Sequence, residues 1–336
     1  MSGEWTEVPF DVHLEHAGMR VDAFLAARLH RYSRMEVRRL VSEGRVLLRG
    51  RAVKPAARVA QGETVLVRYP RRREEPARYA SLPVIHRDAE LLAVAKPADL
   101  ICHPTDRVVA NTVVSVLAAQ FPGERLHLVH RLDRETSGTL LLARSREAAR
   151  ALVEAFTRGE VRKEYLALCA GRFPLPRLRV ELPLGREGGD IKVRQTVRLD
   201  AADGLELGDD EPIQEAVTEF ERLETDGRAS LVLARPKTGR LHQIRVHLAA
   251  LGCPVLGDKL YTGEGEGYLK AVRKELVAED LRALGAPRQM LHAFRLRLRH
   301  PAGGKELTLS APLPDDFRAC ADSLGLRIPK GDSQGE

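Results

Sequence analysis

Apolar residues first become periodic at Val21, Phe24, Leu25 and Leu29, a spacing of three and four that predicts a helix. Residues 1–17 show no such period and read as a loose arm. A second helix is better punctuated. Ser33 fits its N-cap, Glu36 follows three residues on, and Tyr32 and Val37 are spaced as a hydrophobic staple. Gly44, after Glu43, is the expected stop. Apolar runs over 45–49 and 64–69, with Gly50 and Gly62 in turns, predict strands. Residues 18–70 thus form a small α+β unit, followed by a charged, proline-containing linker over 71–81.

A second domain begins near Leu82. Strand-like runs lie at 91–95, 126–129, 139–143, 164–170, 216–221 and 230–234. Helical stretches fit 111–120, 145–157, 241–251 and 268–284. Helices and strands do not alternate regularly, which disfavours a doubly wound parallel sheet. The expectation is α+β, with a mixed or antiparallel sheet flanked by helices. The acidic stretch 200–215 reads as an exposed loop or hairpin crossing, and 316–336 as a C-terminal tail with a disordered polar end from Pro329.

Composition changes this picture little. The 336 residues are 43% hydrophobic and 30% charged, as in an ordinary globular protein of two domains. No apolar run reaches the roughly 18 residues of a membrane helix. Met1-Ser2-Gly3-Glu4 is acidic early and predicts no signal peptide. Cys102, Cys169, Cys253 and Cys320 stand far apart, which argues against a zinc knuckle or redox pair and fits a reducing cytosol. The formal net charge is +7. Much of it is concentrated: residues 28–51 hold eight arginines against Glu36 and Glu43, a local +6. A basic face bearing Arg31, Arg34, Arg38, Arg39 and Arg45 suits a phosphate backbone; its bland alternative is a solvated arginine-rich surface.

Three segments concentrate candidate chemistry. In 127–138, a dense polar loop lies between two apolar runs, and Asp133 stands between Arg131 and Arg134. A nearby cation keeps a carboxylate ionised even when covered, so Asp133 is a candidate nucleophile or base, or else part of a salt-bridged turn. The run 162–168 predicts a strand with Tyr165 and Ala167 on one face. In 237–248, Thr238-Gly239 makes a turn before a helix expected to bury Leu241, Ile244 and Leu248 and to present His242 and Arg245 on one flank. His127 and His130 form only a weak HxxH metal signal. No GxGxxG or Walker A motif supports a nucleotide cofactor.

These segments carry a likeness. His130-Arg131-Leu132-Asp133-Arg134-Glu135-Thr136-Ser137-Gly138 resembles the HRLDxxTSG signature of the RluA-type pseudouridine synthases. Lys163-Glu164-Tyr165 resembles the strand bearing that family's active-site tyrosine, and residues 238–247 its TGRxHQIRxH motif. Gln289-Met290-Leu291-His292-Ala293 and Arg299-His300-Pro301 resemble its C-terminal part; Lys96-Pro97-Ala98 and His103-Pro104 resemble its opening. The likeness covers residues 82–315, and residues 18–70 resemble an S4 RNA-binding domain. Gly257-Asp258-Lys259-Leu260-Tyr261 resembles a GDxxYG run with Thr262 in place of glycine, a local loop change expected to lie outside the chemistry.

The resemblance implies a mixed or antiparallel synthase domain behind a small S4-like domain. It implies isomerisation of uridine to pseudouridine in structured RNA after base flipping, without cofactor or metal. By the same likeness Asp133 is the catalytic aspartate, Tyr165 the aromatic group against the base, and Arg245 the partner of the aspartate. Arg131 holds the flipped nucleotide or fills its place. Arg134, Arg240, His242 and Gln243 complete the substrate-binding set, while His130, His242 and His247 are expected to serve motif packing and hydrogen bonding. The implied partner is ribosomal RNA of the large subunit, with transfer RNA as the alternative; no DNA or membrane partner is expected. A cytoplasmic monomer is implied. The competing readings are an inactive RNA-binding protein of the same fold and an unrelated hydrolase with an Asp–His pair.

Overall fold

A computed structural model describes residues 5–29, 32, 34–70, 77–105, 108–189, 191–198 and 213–328, with the backbone alone at Thr6, Arg34 and Pro70. The chain divides into two units, 1–74 and 75–336.

In the first unit, strands β1 (Trp5–Asp11), β2 (Val46–Leu48), β3 (Arg51–Ala52) and β4 (Thr64–Pro70) form an antiparallel sheet in the order β1-β4-β2-β3. Helices α1 (Val21–Arg28) and α2 (Arg34–Ser42) belong to the same unit. Its core joins Val21, Phe24 and Leu25 of α1 to Val37, Leu40 and Val41 of α2 and to Val46, Val65 and Val67 of the sheet. Tyr32 packs on the same core as Val37, while Ser33, the expected cap, lies outside the described residues. At the end of α2 Gly44 has φ +70°, and the Arg45 and Gly44 N–H groups donate to Leu40 and Val41 carbonyls, closing a Schellman motif.

The expected loose arm is corrected: β1 pairs along β4, with Val8 opposite Val67 and Phe10 opposite Val65. Val8, Phe10 and Val12 do alternate, and Pro9 hides the pattern; an edge strand tolerates a proline because its outer N–H groups are unpaired. Arg38 and Arg39 are exposed on α2. Arg45 pairs with Glu43 at 2.9 Å and lies over the Trp5 ring. Arg31 and the Arg34 side chain lie outside the described residues.

The second unit contains, in chain order, β5 (Val84–Arg87), β6 (Leu91–Lys96), α3 (Val113–Gln120), β7 (His127–Leu128), β8 (Ser137–Ala143), α4 (Arg146–Thr157), β9 (Arg162–Ala170) and β10 (Arg177–Glu181). There follow β11 (Leu184–Arg186), β12 (Gln195–Val197), β13 (Val217–Thr225), β14 (Ala229–Pro236), α5 (Gln243–Ala250), α6 (Glu266–Arg273), α7 (Ala278–Leu284), β15 (Leu291–Arg299), β16 (Glu306–Ser310) and α8 (Asp315–Ser323). Ten strands make one sheet, β10-β13-β14-β9-β15-β8-β6-β5, with β16 on β15 and β7 on β8. Every pairing in it is antiparallel except β15 with β8, so the expected mixed α+β architecture is observed.

The apolar run of β8 is explained by burial on both faces. Leu140 and Leu142 join α3 residues Val113 and Leu117 on one side, and Leu141 and Ala143 join α4 residues Ala148 and Leu152 on the other. Beyond β9 a third core forms around Leu168, Phe220, Leu231 and Leu248.

Other boundaries differ from expectation. Of the linker, 71–76 lies outside the described residues, but Arg78 and Tyr79 belong to the second unit: the Arg78 N–H donates to Asn111 Oδ1 at 2.9 Å, and Tyr79 packs against the α3 core. The start of the C-terminal tail is α8, whose Phe317 and Ala321 are buried at helical spacing. The stretch 268–284 is two helices, broken where Lys274 takes φ +63°. Leu241, expected in a core, precedes α5 and is 43% exposed. Most of the acidic stretch, 200–212, and the tail end, 329–336, lie outside the described residues. All four cysteines are free thiols. Among the described residues no helix is long and apolar enough to cross a membrane.

Candidate active site

The loop between β7 and β8 carries Asp133, and the chain secures it on all sides. Ser137 at the start of β8 bonds His292 Nδ1 on β15 at 2.9 Å, and the Gln289 side-chain amide donates to Thr136 Oγ1 at 2.7 Å. The Glu135 carboxylate accepts from Lys259 at 2.9 Å and from the Gln289 N–H at 3.1 Å. Arg288 donates to the Glu135 carbonyl while forking onto Asp316 in α8. The helix that replaced the expected tail therefore braces this loop. Buried Lys96 donates to the carbonyls of Pro97, Leu100 and Arg134, so its charge is fully solvated by protein oxygens; burial still pushes it down to about 8.

Glycine is required where β8 meets β15. Gly138 has φ +121°, and a Cβ there would lie 2.2 Å from the Ala293 carbonyl oxygen. The HRLD and QMLHA segments, 155 residues apart between Ser137 and His292, thus meet through a backbone contact that no larger residue permits.

Arg245, in the first turn of α5, donates from Nη1 to Asp133 Oδ2 at 2.8 Å. Its Nε and Nη2 fork onto the buried Asp258 at 2.6 and 2.9 Å, and its guanidinium lies 4.9 Å from the Tyr261 ring centre. Asp258 also accepts the N–H groups of Leu260 and Tyr261. Burial acts to raise Asp133, but the Arg245 charge and hydrogen bond, and less strongly the Arg131 charge, outweigh it and hold the carboxyl below its ordinary range. Asp133 is therefore ionised at neutral pH.

A cavity of about 540 Å³ opens at this carboxylate. It brings together Asp133, Tyr165, Arg245, Arg131, Arg240, His242 and Gln243, seven residues singled out from three separate segments. Tyr165, on β9, turns to the cavity, and its hydroxyl has no protein partner among the described residues; burial, then Asp133, keeps the phenol neutral. Lys163 adds a cation to the wall, donating to the Thr238 carbonyl at 3.0 Å, and burial followed by Arg240 lowers it to about 8.

Two expected residues take other roles. Arg134 is not in the cavity wall: it turns to Asp99, at 2.6 Å, which Arg78 also contacts. Gln243 lines the cavity but its amide is satisfied internally, accepting from the Thr238 hydroxyl and Arg240 N–H and donating to the Val217 carbonyl and Thr218 hydroxyl. It shapes the turn that presents Arg240. His130 accepts the Leu141 N–H at 2.9 Å and stacks on Phe156, and His247 is tied to Thr218 and Leu182.

Asp258 and Tyr261 are the residues that sequence reasoning left outside the chemistry. Their turn starts at Gly257, where a Cβ would fall 1.8 Å from the Arg288 carbonyl oxygen. The sequence carried no signal for this role, because it follows from the burial of Arg245 in α5: a buried arginine needs more than one carboxylate or carbonyl to replace its water. Among the described residues no group of three or more His, Cys, Asp or Glu side chains could hold a metal ion.

Comparison with known proteins identifies the family. Residues 90–250 match the family described as RNA pseudouridylate synthase, and residues 19–65 match the S4 domain. The chain is 35% identical over 315 residues to the ribosomal large subunit pseudouridine synthase D of Xanthomonas campestris pv. campestris, covering 92% of this chain and 89% of the relative. It is 36% identical over 307 residues to an uncharacterized RNA pseudouridine synthase of Chloroflexus aurantiacus, covering 89% and 88%. Among solved structures, human RNA pseudouridylate synthase domain containing 4 aligns with a TM-score of 0.58 at 31% identity, over 74% of this chain and 95% of that one. The chain belongs to the RluA-type RNA pseudouridine synthase family and carries an S4 domain in its N-terminal unit.

Proposed function

We propose that the protein converts specific uridines of large-subunit ribosomal RNA to pseudouridine, with Asp133 as the reacting carboxylate. The observation that carries this reading is the ionised Asp133 held by Arg245 at 2.8 Å in a cavity shared with Tyr165. Uridine isomerisation breaks the N1–C1′ bond, turns the uracil and joins C5 to C1′; the C5 proton leaves and N1 regains one. Those atoms are inaccessible in a stacked helix, so the nucleotide is flipped into the cavity, at a cost of a few kcal/mol. Tyr165 gives uracil a flat face, and such stacking contributes ~1–3 kcal/mol. Asp133 places a full negative charge where C1′ becomes electron-poor. Arg131, Arg240 and Lys163 supply cations for the flanking phosphates.

The ribosomal assignment is supported by the S4 match, by the basic α2 face and by relatives whose names specify the large ribosomal subunit. The test uses transcripts carrying tritium at uridine C5, because each isomerisation releases that hydrogen. Unmodified large-subunit ribosomal RNA should release tritium with the native protein and none above background with Asp133→Asn. Nucleotide mapping should then find pseudouridine at one or a few positions. Release from transfer RNA alone would transfer the assignment to that substrate, and turnover by Asp133→Asn would end the role given to Asp133.

A further inference from the structure

His242 sits at the rim of α5 in a left-handed backbone conformation, φ +58°, which a non-glycine residue adopts at a cost. Its ring joins two different surroundings. Nδ1 lies 2.8 Å from the hydroxyl of Tyr261, which is almost fully buried and also receives the Gln195 N–H at 3.1 Å. Nε2 faces the cavity, 3.9 Å from Asp133 Oδ2, beyond hydrogen-bond reach.

Proton counting decides the tautomer. A phenol has one proton to give, and the Gln195 N–H already occupies one of its lone pairs. Among the described residues His242 Nδ1 is the one acceptor within reach of that proton. Placing the imidazole proton on Nδ1 would strand the buried hydroxyl proton without a partner, a cost of about 1–3 kcal/mol. The favoured chain runs from the Gln195 N–H to the Tyr261 oxygen, and from the Tyr261 proton to Nδ1. The imidazole proton then resides on Nε2 and points into the cavity. Burial, reinforced by Arg245, lowers His242 to about 4, so the ring is neutral at physiological pH.

We propose that Tyr261 is a positioning residue that holds His242 as its neutral Nε2–H tautomer, and that this N–H donates to an oxygen of the nucleotide bound against Asp133. Bond cleavage leaves negative charge on the uracil, and a fixed neutral donor stabilises it without placing a second cation beside the carboxylate. The proposal rests on the reading of the cavity as the uridine site, but its first test is independent of turnover.

Full-length protein labelled with [15N]histidine, with the resonance assigned through His242→Gln, reports which ring nitrogen of His242 is protonated. The expected pattern is a protonated Nε2 in the native protein and a shift toward Nδ1 in Tyr261→Phe. Protonated Nδ1 in the native protein would overturn the proposal whatever Asp133→Asn does. The second test is single-turnover tritium release from large-subunit ribosomal RNA bound at saturation. His242→Gln, whose amide donates from near the Nε2 position, should stay within about tenfold of native, and His242→Leu should lose roughly 100-fold. Tyr261→Phe should slow the native protein about tenfold but His242→Gln less than about twofold, because its effect passes through the imidazole. Equal slowing in both backgrounds would reduce Tyr261 to a packing residue.

Discussion

Asp258 occupies the Nε–Nη2 edge of Arg245 in a fork and leaves Nη1 to Asp133, so the position of the Asp133 carboxylate is set from a turn on the far side of the guanidinium. A carboxylate placed only by a loop would have several rotamers; one held by a forked arginine has one. Asp258→Asn keeps the shape and removes the charge. Turnover of bound RNA should fall more than about tenfold with a smaller change in KM, because the loss is of geometry around the reacting group. Asp258→Ala leaves Arg245 buried beside an empty fork and should cost about 3–5 kcal/mol in urea denaturation. An Asp258→Asn protein with native turnover would separate Asp258 from the site.

Arg131 and Arg134 flank Asp133 in sequence and diverge in space. Arg131 lines the cavity, and Arg134 pairs at the exposed surface with Asp99. Arg134→Ala should change stability by less than about 1 kcal/mol and leave tritium release near native, as exposed ion pairs contribute little. Arg131→Ala should reduce kcat/KM on ribosomal RNA by an order of magnitude or more, since it removes a cation that the bound nucleotide meets. Equal effects of the two substitutions would contradict the placement.

The contrast shows what a linear reading captures. Asp133 stood out because a dense polar segment interrupts two apolar runs, whereas the roles of Tyr165 and Arg245 came from the family resemblance, and the fold brings all three to one cavity. Arg134 was misplaced because a turn sends neighbouring side chains in different directions, which spacing alone does not encode. Asp258 was set aside because its function depends on a contact with α5 that only the fold creates. Strand β1 was obscured by Pro9, and α8 by its polar surface: of its nine residues only Phe317 and Ala321 are buried. Gly138 was visible as a letter in a motif, while its necessity comes from a carbonyl on a strand far along the chain.

That necessity is testable. Gly138→Ala combines a left-handed φ with a Cβ 2.2 Å from the Ala293 oxygen, so either β15 moves or the parallel pairing opens. Both outcomes detach the Asp133 loop from Ser137–His292. The substitution should destabilise the second unit by more than about 3 kcal/mol, seen as a lowered urea midpoint or insoluble protein. Native stability would show that the two strands do not approach as closely as described.

Three histidines withdrawn from solvent should shape the response to mild acid. Burial lowers His130 to about 3 and His242 and His292 to about 4. Unfolded, each titrates near 6.5, so between pH 6.5 and about 4 the unfolded chain binds more protons than the folded one. Stability is therefore full above that window and declines as pH falls through it. The lowered carboxyl of Asp133 adds to the loss only when pH drops below the ordinary aspartate range, about 4. Urea midpoints measured from pH 7.5 to 4.5 should fall steadily, and His292→Gln should flatten part of the slope. A midpoint constant across this range would show that these histidines titrate normally.

The N-terminal unit should govern affinity rather than chemistry. Arg39 bonds Glu43 across one turn at 2.8 Å, and Arg38 stands 3.8 Å from an Asp22 already forked by Arg20. The Arg39–Glu43 pair, exposed at the arginine and one turn apart, contributes only about 0.3–0.5 kcal/mol, so a phosphate can replace that carboxylate at little cost; Arg38 is exposed and stands beyond hydrogen-bond distance of Asp22. Both arginines are thus available to an RNA backbone. Each of Arg38→Ala and Arg39→Ala should weaken binding of large-subunit ribosomal RNA and reduce the slope of log affinity against log salt by about 1. Single-turnover release from RNA held at saturation should remain native, because neither side chain belongs to the Asp133 cavity. A rate that falls in parallel with affinity would mean that this helix orients the substrate as well as holding it.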